Sequence, residues 1–213
     1  MSRKLPVYLL LDTSGSMYGE PIEAVKNGIQ VLYSALKGNA YALETAYLSI
    51  ITFDSNAKQI LPLTEVAQLQ TPEITASGCT VMGEALKLAA ERASQEVAKN
   101  TFEQKGDWKP MMFIMTDGAP TDDLDKGIAE FNKEKWGMVV ACAAGSGAHT
   151  DTLKKITNNV VKLDTTNKDE IEAFFKWVSQ SVITSSQKVE EGNAQAETLS
   201  ELPPPPPEVN IVL

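Results

Sequence analysis

An apolar run at residues 7–11 ends abruptly in a cluster of oxygen-bearing side chains, Asp-Thr-Ser-Gly-Ser at residues 12–16. Such a run is typical of a strand that is buried on both faces of a parallel sheet. Asp12, Ser14 and Ser16 would then lie at the carboxyl end of that strand, where open α/β sheets bind their ligands. Because these side chains offer only oxygen atoms, they suit a hard cation better than they suit zinc. The pattern therefore predicts a site for Mg²⁺ or Mn²⁺.

This cluster resembles the Asp-x-Ser-x-Ser motif of von Willebrand factor A (VWA) domains, where it forms the first part of a metal-ion-dependent adhesion site (MIDAS). The family completes the site with a threonine from a second loop and an aspartate from a third. Thr80, in Ser-Gly-Cys-Thr at residues 77–80, and Asp117, in Met-Thr-Asp-Gly at residues 115–118, match these parts in the family's order. One such motif alone is weak, whereas three in order are specific, and the resemblance covers roughly residues 5–183.

The resemblance also implies a role for each site residue. Ser14, Ser16 and Thr80 would offer their hydroxyls directly to the metal, while Asp12 and Asp117 would act mainly through metal-bound water. A cation held by neutral hydroxyls keeps much of its charge, so one coordination position would remain open to a carboxylate of a partner protein.

Predicted strands alternate with predicted helices along the chain, and this alternation indicates a doubly wound α/β fold. The resemblance implies a mostly parallel six-stranded sheet in the order 3-2-1-4-5-6, flanked by helices, with its third strand antiparallel at one edge. The strands that end in Asp12 and Asp117 would then be neighbours at the switch point of the sheet.

The composition changes after about residue 187, which predicts a VWA domain at residues 1–186 and an acidic, proline-rich flexible tail at residues 187–213. Residues 203–207 are all proline and favour a polyproline II helix. The tail is expected to be dispensable for folding. The alternative is a docking peptide that acts through the prolines or through residues 209–213 added to a sheet edge.

Composition narrows the class of partner and the compartment. The net charge of −9 and the pI near 4.7 disfavour nucleic acid and anionic membranes. Two cysteines, Cys79 and Cys142, form no disulfide framework and are interpreted as free thiols in or beside apolar segments. With no stretch approaching the roughly 20 apolar residues of a membrane span, the prediction is a cytoplasmic protein in a reducing compartment.

Motifs of enzymes are a poorer match to this sequence. A phosphatase of the haloacid dehalogenase type needs Asp-x-Asp after its first strand, but Ser14 stands in place of the second aspartate. Neither a Walker loop nor Gly-x-Gly-x-x-Gly occurs, and the single histidine, His149, is interpreted as a surface residue. The protein is therefore predicted not to be an enzyme, with a metal-dependent hydrolase or phosphatase and a scaffold with an incidental metal as the alternatives.

The exact form of the three motifs is similar to that of small bacterial A-domain proteins of tellurite-resistance clusters, the TerY type. This similarity implies a metal-dependent protein–protein interaction module in a bacterial stress-response or tellurite-resistance signalling system. Its partners would be proteins that present a carboxylate to the metal, such as a kinase, a phosphatase or other Ter proteins.

Overall fold

Strand β1 (Leu5–Asp12) lies at the centre of the sheet and is buried at every residue, as its apolar run predicts. The computed structural model describes residues 3–212. β1 pairs in parallel with β2 (Ala46–Phe53) on one side and with β4 (Met111–Thr116) on the other. The remaining strands are β3 (Ala57–Glu65), β5 (Met138–Ala144), β6 (Val160–Leu163) and β7 (Asn210–Val212).

The sheet order is β3-β2-β1-β4-β5-β6-β7, which confirms the predicted order of the first six strands. β3 is antiparallel to β2, as expected for that edge. The six-strand count is wrong, however, because β7 adds a seventh strand antiparallel to β6 at the opposite edge. Both edges of an otherwise parallel sheet are thus closed by antiparallel strands.

Six helices cover the two faces of the sheet because successive β1 side chains point to opposite sides. Leu9 and its alternating neighbours pack with α1, α2 and α6, whereas Tyr8 and Leu10 pack with α3, α4 and α5. The helices are α1 (Glu20–Lys37), α2 (Ala40–Thr45), α3 (Met82–Glu96), α4 (Leu124–Phe131), α5 (Thr150–Lys154) and α6 (Lys168–Glu190). None of the helices within residues 3–212 has the length and apolar character that crossing a bilayer requires.

The C-terminal segment differs from the predicted flexible tail. α6 continues through residue 187 to Glu190, so the expected boundary lies inside a helix. Residues 193–212, which we call the C-terminal strap, then run back along the domain and end in β7. The polar composition did not indicate that this segment packs on the domain, because the strap packs through only a few well-spaced apolar residues. These residues are Ala196, Leu202 and Val209, and all three are buried. Leu213 lies outside the described residues.

Hydrogen bonds at several points hold the strap against the domain. The indole Nε1 of Trp177 in α6 donates to the carbonyl oxygen of Pro203 at 2.8 Å. Gln195 Nε2 donates to the carbonyl oxygen of Lys109 at 2.6 Å, at the entrance to β4. The strap therefore ties α6 to the sheet, and its pairing at the β6 edge matches the edge-strand alternative that the sequence left open.

Candidate metal site

The structure brings the five predicted metal ligands to one end of the sheet, at the carboxyl ends of neighbouring strands. Asp12 is the last residue of β1, and Ser14 and Ser16 follow it at a single 3-10 turn. Thr80 lies two residues before the start of α3, and Asp117 directly follows β4. The site thus lies where β1 and β4, adjacent parallel strands, both end.

A chain of hydrogen bonds links the first loop to the third. The hydroxyls of Ser14 and Ser16 lie 3.1 Å apart, and Ser16 Oγ donates to Asp117 Oδ1 at 2.8 Å. Thr80 Oγ1 lies near the third loop, 3.7 Å from where a β-carbon on Gly118, the neighbour of Asp117, would stand. Side-chain oxygens from three separate loops therefore converge on one small region.

Asp12 is held more rigidly than Asp117, although both side chains are largely buried. Asp12 Oδ1 accepts from the backbone N–H of Ser14 at 2.8 Å, and Asp12 Oδ2 accepts from Thr116 Oγ1 at 2.5 Å. Thr116 was not among the site residues predicted from the sequence, because the alternation of side chains along β4 does not show which of them reach the site. Asp12 thereby orients the first loop as well as contributing charge.

Backbone hydrogen bonds fix the first loop against the second. The N–H of Ser77 donates to the carbonyl oxygen of Thr13 at 2.9 Å, and the N–H of Gly15 donates to that of Gly78 at 3.1 Å. Gly78 has φ of +73°, a conformation that L side chains rarely adopt, so glycine suits this position. The two loops are therefore held together by main-chain contacts rather than by side chains alone.

The electrostatic state of the cluster favours a cation. Burial raises the pKa of both Asp12 and Asp117, and hydrogen bonds from Ser14 and Thr116 to Asp12 and from Ser16 to Asp117 act in the opposite direction. Within residues 3–212, neither carboxylate forms an ion pair with a lysine or arginine. Two buried carboxylates without a cationic partner are costly, so a bound cation would be stabilising here.

The donor set fits a hard divalent cation and limits how it could be held. Across the described part of the chain, no three or more His, Cys, Asp or Glu side chains are grouped so that they could hold a metal ion. Hydroxyls would therefore have to complete the coordination, and Ser14, Ser16 and Thr80 are the predicted donors, since the Thr116 hydroxyl is already bonded to Asp12. Oxygen ligands of this kind suit Mg²⁺ or Mn²⁺.

One side of the cluster is open to an incoming group. A pocket of about 370 Å³ begins at Ser16 and Asp117 and extends between the loops that follow β5 and β6. Gly147 packs so closely on this side that a β-carbon there would lie 2.6 Å from the backbone oxygen of Asp117. The loop after β5 lines the pocket with small residues and the loop after β6 lines it with Asp164, Thr165 and Thr166, so a ligand side chain has room beside Ser16 and Asp117.

The second and third site loops are joined by residues that sequence reasoning did not assign to the site. The N–H of Thr80 donates to Thr121 Oγ1 at 3.1 Å, and the N–H of Thr121 donates to the carbonyl oxygen of Thr80 at 2.9 Å. Asp122 accepts from the N–H groups of Gly83 and Glu84 in α3, at 3.0 and 2.8 Å. Asp123 instead caps α4, because its side chain accepts from the N–H of Lys126 at 3.1 Å.

Other candidate reactive residues lie away from a catalytic arrangement or are inert. His149 is exposed at the start of α5, which confirms its interpretation as a surface residue. Cys142 is buried in β5, and burial raises the pKa of its thiol. Cys79 is exposed, so its predicted place in or beside an apolar segment is wrong. It lies in the turn that carries Gly78, and its backbone N–H donates to Ser55 Oγ at 3.2 Å.

The acidity of the two aspartates predicts how cation binding depends on pH. Since burial raises the pKa of Asp12 and Asp117 above 3.8, protons should compete with metal at a higher pH than at exposed aspartates. Without metal, the folded state takes up these protons before the unfolded state does, so these groups make the metal-free protein more stable as pH falls towards the raised pKa.

We therefore expect the rise in melting temperature caused by Mg²⁺ to shrink as the pH is lowered from neutral through the raised pKa values of the two aspartates. Thermal melts at each pH, with Mg²⁺ and after removal of metal, measure this difference. An Mg²⁺ effect that stays constant across this range would contradict the assignment of the site to these buried carboxylates.

Known proteins share the domain family and the fold of this chain. The family model of the von Willebrand factor type A domain matches residues 7–176. An uncharacterized protein of Synechocystis is 35% identical over 123 residues, which cover 54% of this chain and 26% of that protein.

Solved structures share the fold at low sequence identity. Proximal thread matrix protein 1 of the mussel byssus, solved with a zinc-occupied MIDAS motif, has a TM-score of 0.60 and 19% identity, covering 84% of this chain and 48% of its own. The pilus adhesin SpaC of Lactobacillus rhamnosus GG has a TM-score of 0.65 and 14% identity, covering 86% of this chain and 30% of its own. This chain therefore spans about a quarter of its curated relative and less than half of either solved chain.

Proposed function

Because this chain belongs to the von Willebrand factor type A domain family, we propose that it is a metal-dependent protein-interaction module whose bound cation receives a carboxylate from a partner protein. The observation that carries the proposal is the convergence of Ser14, Ser16 and Asp117 in one hydrogen-bonded chain beside buried Asp12. Family members commonly mediate protein–protein interaction and metal-dependent binding, which supports this reading.

Mg²⁺ or Mn²⁺ is the cation that the proposal assigns to the site. Ser14, Ser16 and Thr80 would hold it through their hydroxyls, with Asp12 and Asp117 orienting its water ligands. The bound cation would supply an electrophilic position for an incoming carboxylate. The zinc-occupied MIDAS of the mussel byssus protein supports divalent binding at a site of this kind, so binding should be compared for Mg²⁺, Mn²⁺ and Zn²⁺.

The residues of this chain prepare the site for binding rather than for chemistry. Asp12 and Thr116 fix the end of β1, and the Thr13–Ser77 backbone bond fixes the second loop against it. Ser16 Oγ donates to Asp117 Oδ1, which holds a hydroxyl ligand beside the carboxylate that would orient the water ligands. The pocket beside Asp117 would accept the side chain that carries the partner's carboxylate.

We further propose that the module acts in the cytoplasm of a bacterium, in a stress-response or tellurite-resistance signalling system. The form of the three motifs supports this assignment, and the exposed thiol of Cys79 and the buried thiol of Cys142 suit a reducing compartment. The partners in this proposal are proteins of that system, including a kinase, a phosphatase or other Ter proteins.

A metal-dependent capture experiment tests the proposed function. The tagged protein should retain a partner from a bacterial lysate in Mg²⁺ and release it in chelator, and Ser14→Ala should abolish capture. Ser94→Ala, at an exposed position of α3, is the matched control and should capture normally.

The captured partner is then purified, and its candidate acidic residue is changed to the amide. Binding of that amide variant with unchanged affinity would contradict a carboxylate–metal bridge. Turnover of a phosphate ester or ATP with Mg²⁺ or Mn²⁺, above the level of Ser14→Ala, would instead favour the hydrolase alternative.

A further inference from the structure

Thr121 and Asp122 form a clamp that we infer to be a positioning device for Thr80, and hence a determinant of the affinity of the site for its cation. The inference rests on the proposed function and deepens it, because neither residue is among the five predicted ligands. Thr121 holds the main chain of Thr80, and Asp122 holds the beginning of α3, which starts two residues after Thr80.

Thr121 contacts both polar backbone groups of Thr80. Its hydroxyl accepts from the Thr80 N–H at 3.1 Å, while its own N–H donates to the Thr80 carbonyl oxygen at 2.9 Å. This reciprocal pair fixes the position of the Thr80 Cα, so the remaining freedom of Thr80 Oγ1 is rotation about its own side-chain bond. The clamp thereby sets the distance between this hydroxyl and the third loop, which carries Asp117.

Asp122 supplies the cap that α3 does not provide for itself. The residue at the N-cap position, Val81, has no side chain that can accept a hydrogen bond. Both carboxylate oxygens of Asp122 instead accept from the N–H groups of Gly83 and Glu84, at 3.0 and 2.8 Å. Because the first N–H groups of a helix have no acceptor within the helix, the third loop stabilises the beginning of α3.

The crossing of α3 and α4 prevents the two loops from shifting independently. A β-carbon on Gly83 would lie 2.6 Å from the backbone oxygen of Asp123, and one on Gly127 would collide with the backbone of Gly83. The two glycines thus allow the helices to approach closely enough for Asp122 to reach α3. The second and third site loops are consequently one rigid unit, with Thr80 and Asp117 at fixed separation.

Removal of an outer hydrogen bond that orients a metal ligand typically weakens metal binding about 10- to 100-fold. We expect Thr121→Val to raise the dissociation constant for Mg²⁺ or Mn²⁺ by about tenfold. Thr121→Ser keeps the accepting hydroxyl, so its dissociation constant should stay within about threefold of that of the wild type. Calorimetric titration with each metal alone measures these constants, and thermal melts without metal report stability separately.

Thr157→Val is the matched control because Thr157 Oγ1 also accepts a loop N–H, that of Asn159, at 3.1 Å. Thr157 precedes β6, at the end of the sheet opposite the site. The control should lower stability without changing metal affinity. Equal metal affinity in Thr121→Val and wild type, or an equal loss in Thr157→Val, would overturn the positioning role.

Two further outcomes keep the inference separate from the proposed function. If wild type binds neither Mg²⁺ nor Mn²⁺, the proposed function itself fails. If Thr121→Val does not fold, Asp122→Asn repeats the test, since asparagine retains one of the two accepting oxygens. Asp122→Asn should weaken metal binding severalfold while folding normally, and unchanged affinity in this variant would overturn the inference.

Discussion

Asp117→Ala should abolish stabilisation by Mg²⁺ while leaving the metal-free fold intact. A ligand stabilises a protein only through binding to its native state, by about 2.7 kcal/mol at a concentration of about 100 times the dissociation constant. For a chain of this size, that energy corresponds to a rise of roughly 5–10 °C in the melting temperature of the wild type. Asp117→Ala should show none of this rise, because it removes a carboxylate that the cation needs.

The metal-free stability of Asp117→Ala follows from the same contacts. Burial raises the pKa of Asp117, so the charged carboxylate is disfavoured in the folded state without metal. Its removal leaves only the hydroxyl of Ser16 without an acceptor, and Ser16 is exposed and can bond to water. In chelator, Asp117→Ala should therefore melt at or above the temperature of the wild type.

Asp12→Ala serves as an informative contrast to Asp117→Ala. It should also lose the Mg²⁺ effect, but it leaves the buried N–H of Ser14 without its acceptor, at a cost of about 1–3 kcal/mol, whereas the Thr116 hydroxyl keeps the carbonyl oxygen of Gly118 at 3.3 Å. Asp151→Ala, at an exposed position in α5, should behave as wild type. An Mg²⁺ shift in Asp117→Ala as large as that of the wild type would refute the metal site.

Deletion of residues 193–213, which comprise the C-terminal strap and Leu213, should destabilise the domain by an amount on the order of 5 kcal/mol. The strap buries Ala196, Leu202 and Val209, covers the β6 edge and accepts the indole N–H of Trp177. This expectation reverses the prediction made from composition, in which the same segment was dispensable. Chemical denaturation of the full and shortened chains measures the difference in the free energy of unfolding.

A point variant distinguishes the stability that comes from packing of the strap from the effect of shortening the chain. Leu202→Ala should cost about 2–4 kcal/mol because Leu202 is 6% exposed. Leu43→Ala, at a position in α2 that is 39% exposed, should cost less than about 1 kcal/mol. Unfolding midpoints that coincide for the full chain, the shortened chain and Leu202→Ala would show that the strap does not stabilise the domain.

The sequence predicted those parts of the structure in which local pattern and tertiary structure agree. The central strands were evident because β1 and β4 are short apolar runs; β1 ends in Asp12, and Asp117 directly follows β4. The order of the first six strands came from the family resemblance. The pattern could not indicate β7, since three residues are too few to show a period of two.

The missed parts of the site depend on contacts between distant segments. Asp122 precedes α4, and local rules assign an acidic residue there to the helix that it precedes. Its actual partners in α3 are 38 and 39 residues away in sequence, and only the crossing at Gly83 and Gly127 brings them within reach. Thr116 was missed for a similar reason, because its hydroxyl acts on Asp12, which belongs to the neighbouring strand.

The parallel pairing of β1 with β4 has a consequence for the kinetics of folding. Val7 pairs with Met111, so Asp12 and Asp117 meet only after a very long loop of chain has closed. Pairings of such high sequence separation form slowly, and a cation that needs both aspartates cannot assist before they form. A bound cation would therefore act chiefly by slowing the unfolding rate, with little effect on the rate of folding. The metal would lengthen the lifetime of the folded domain more than it would hasten its formation.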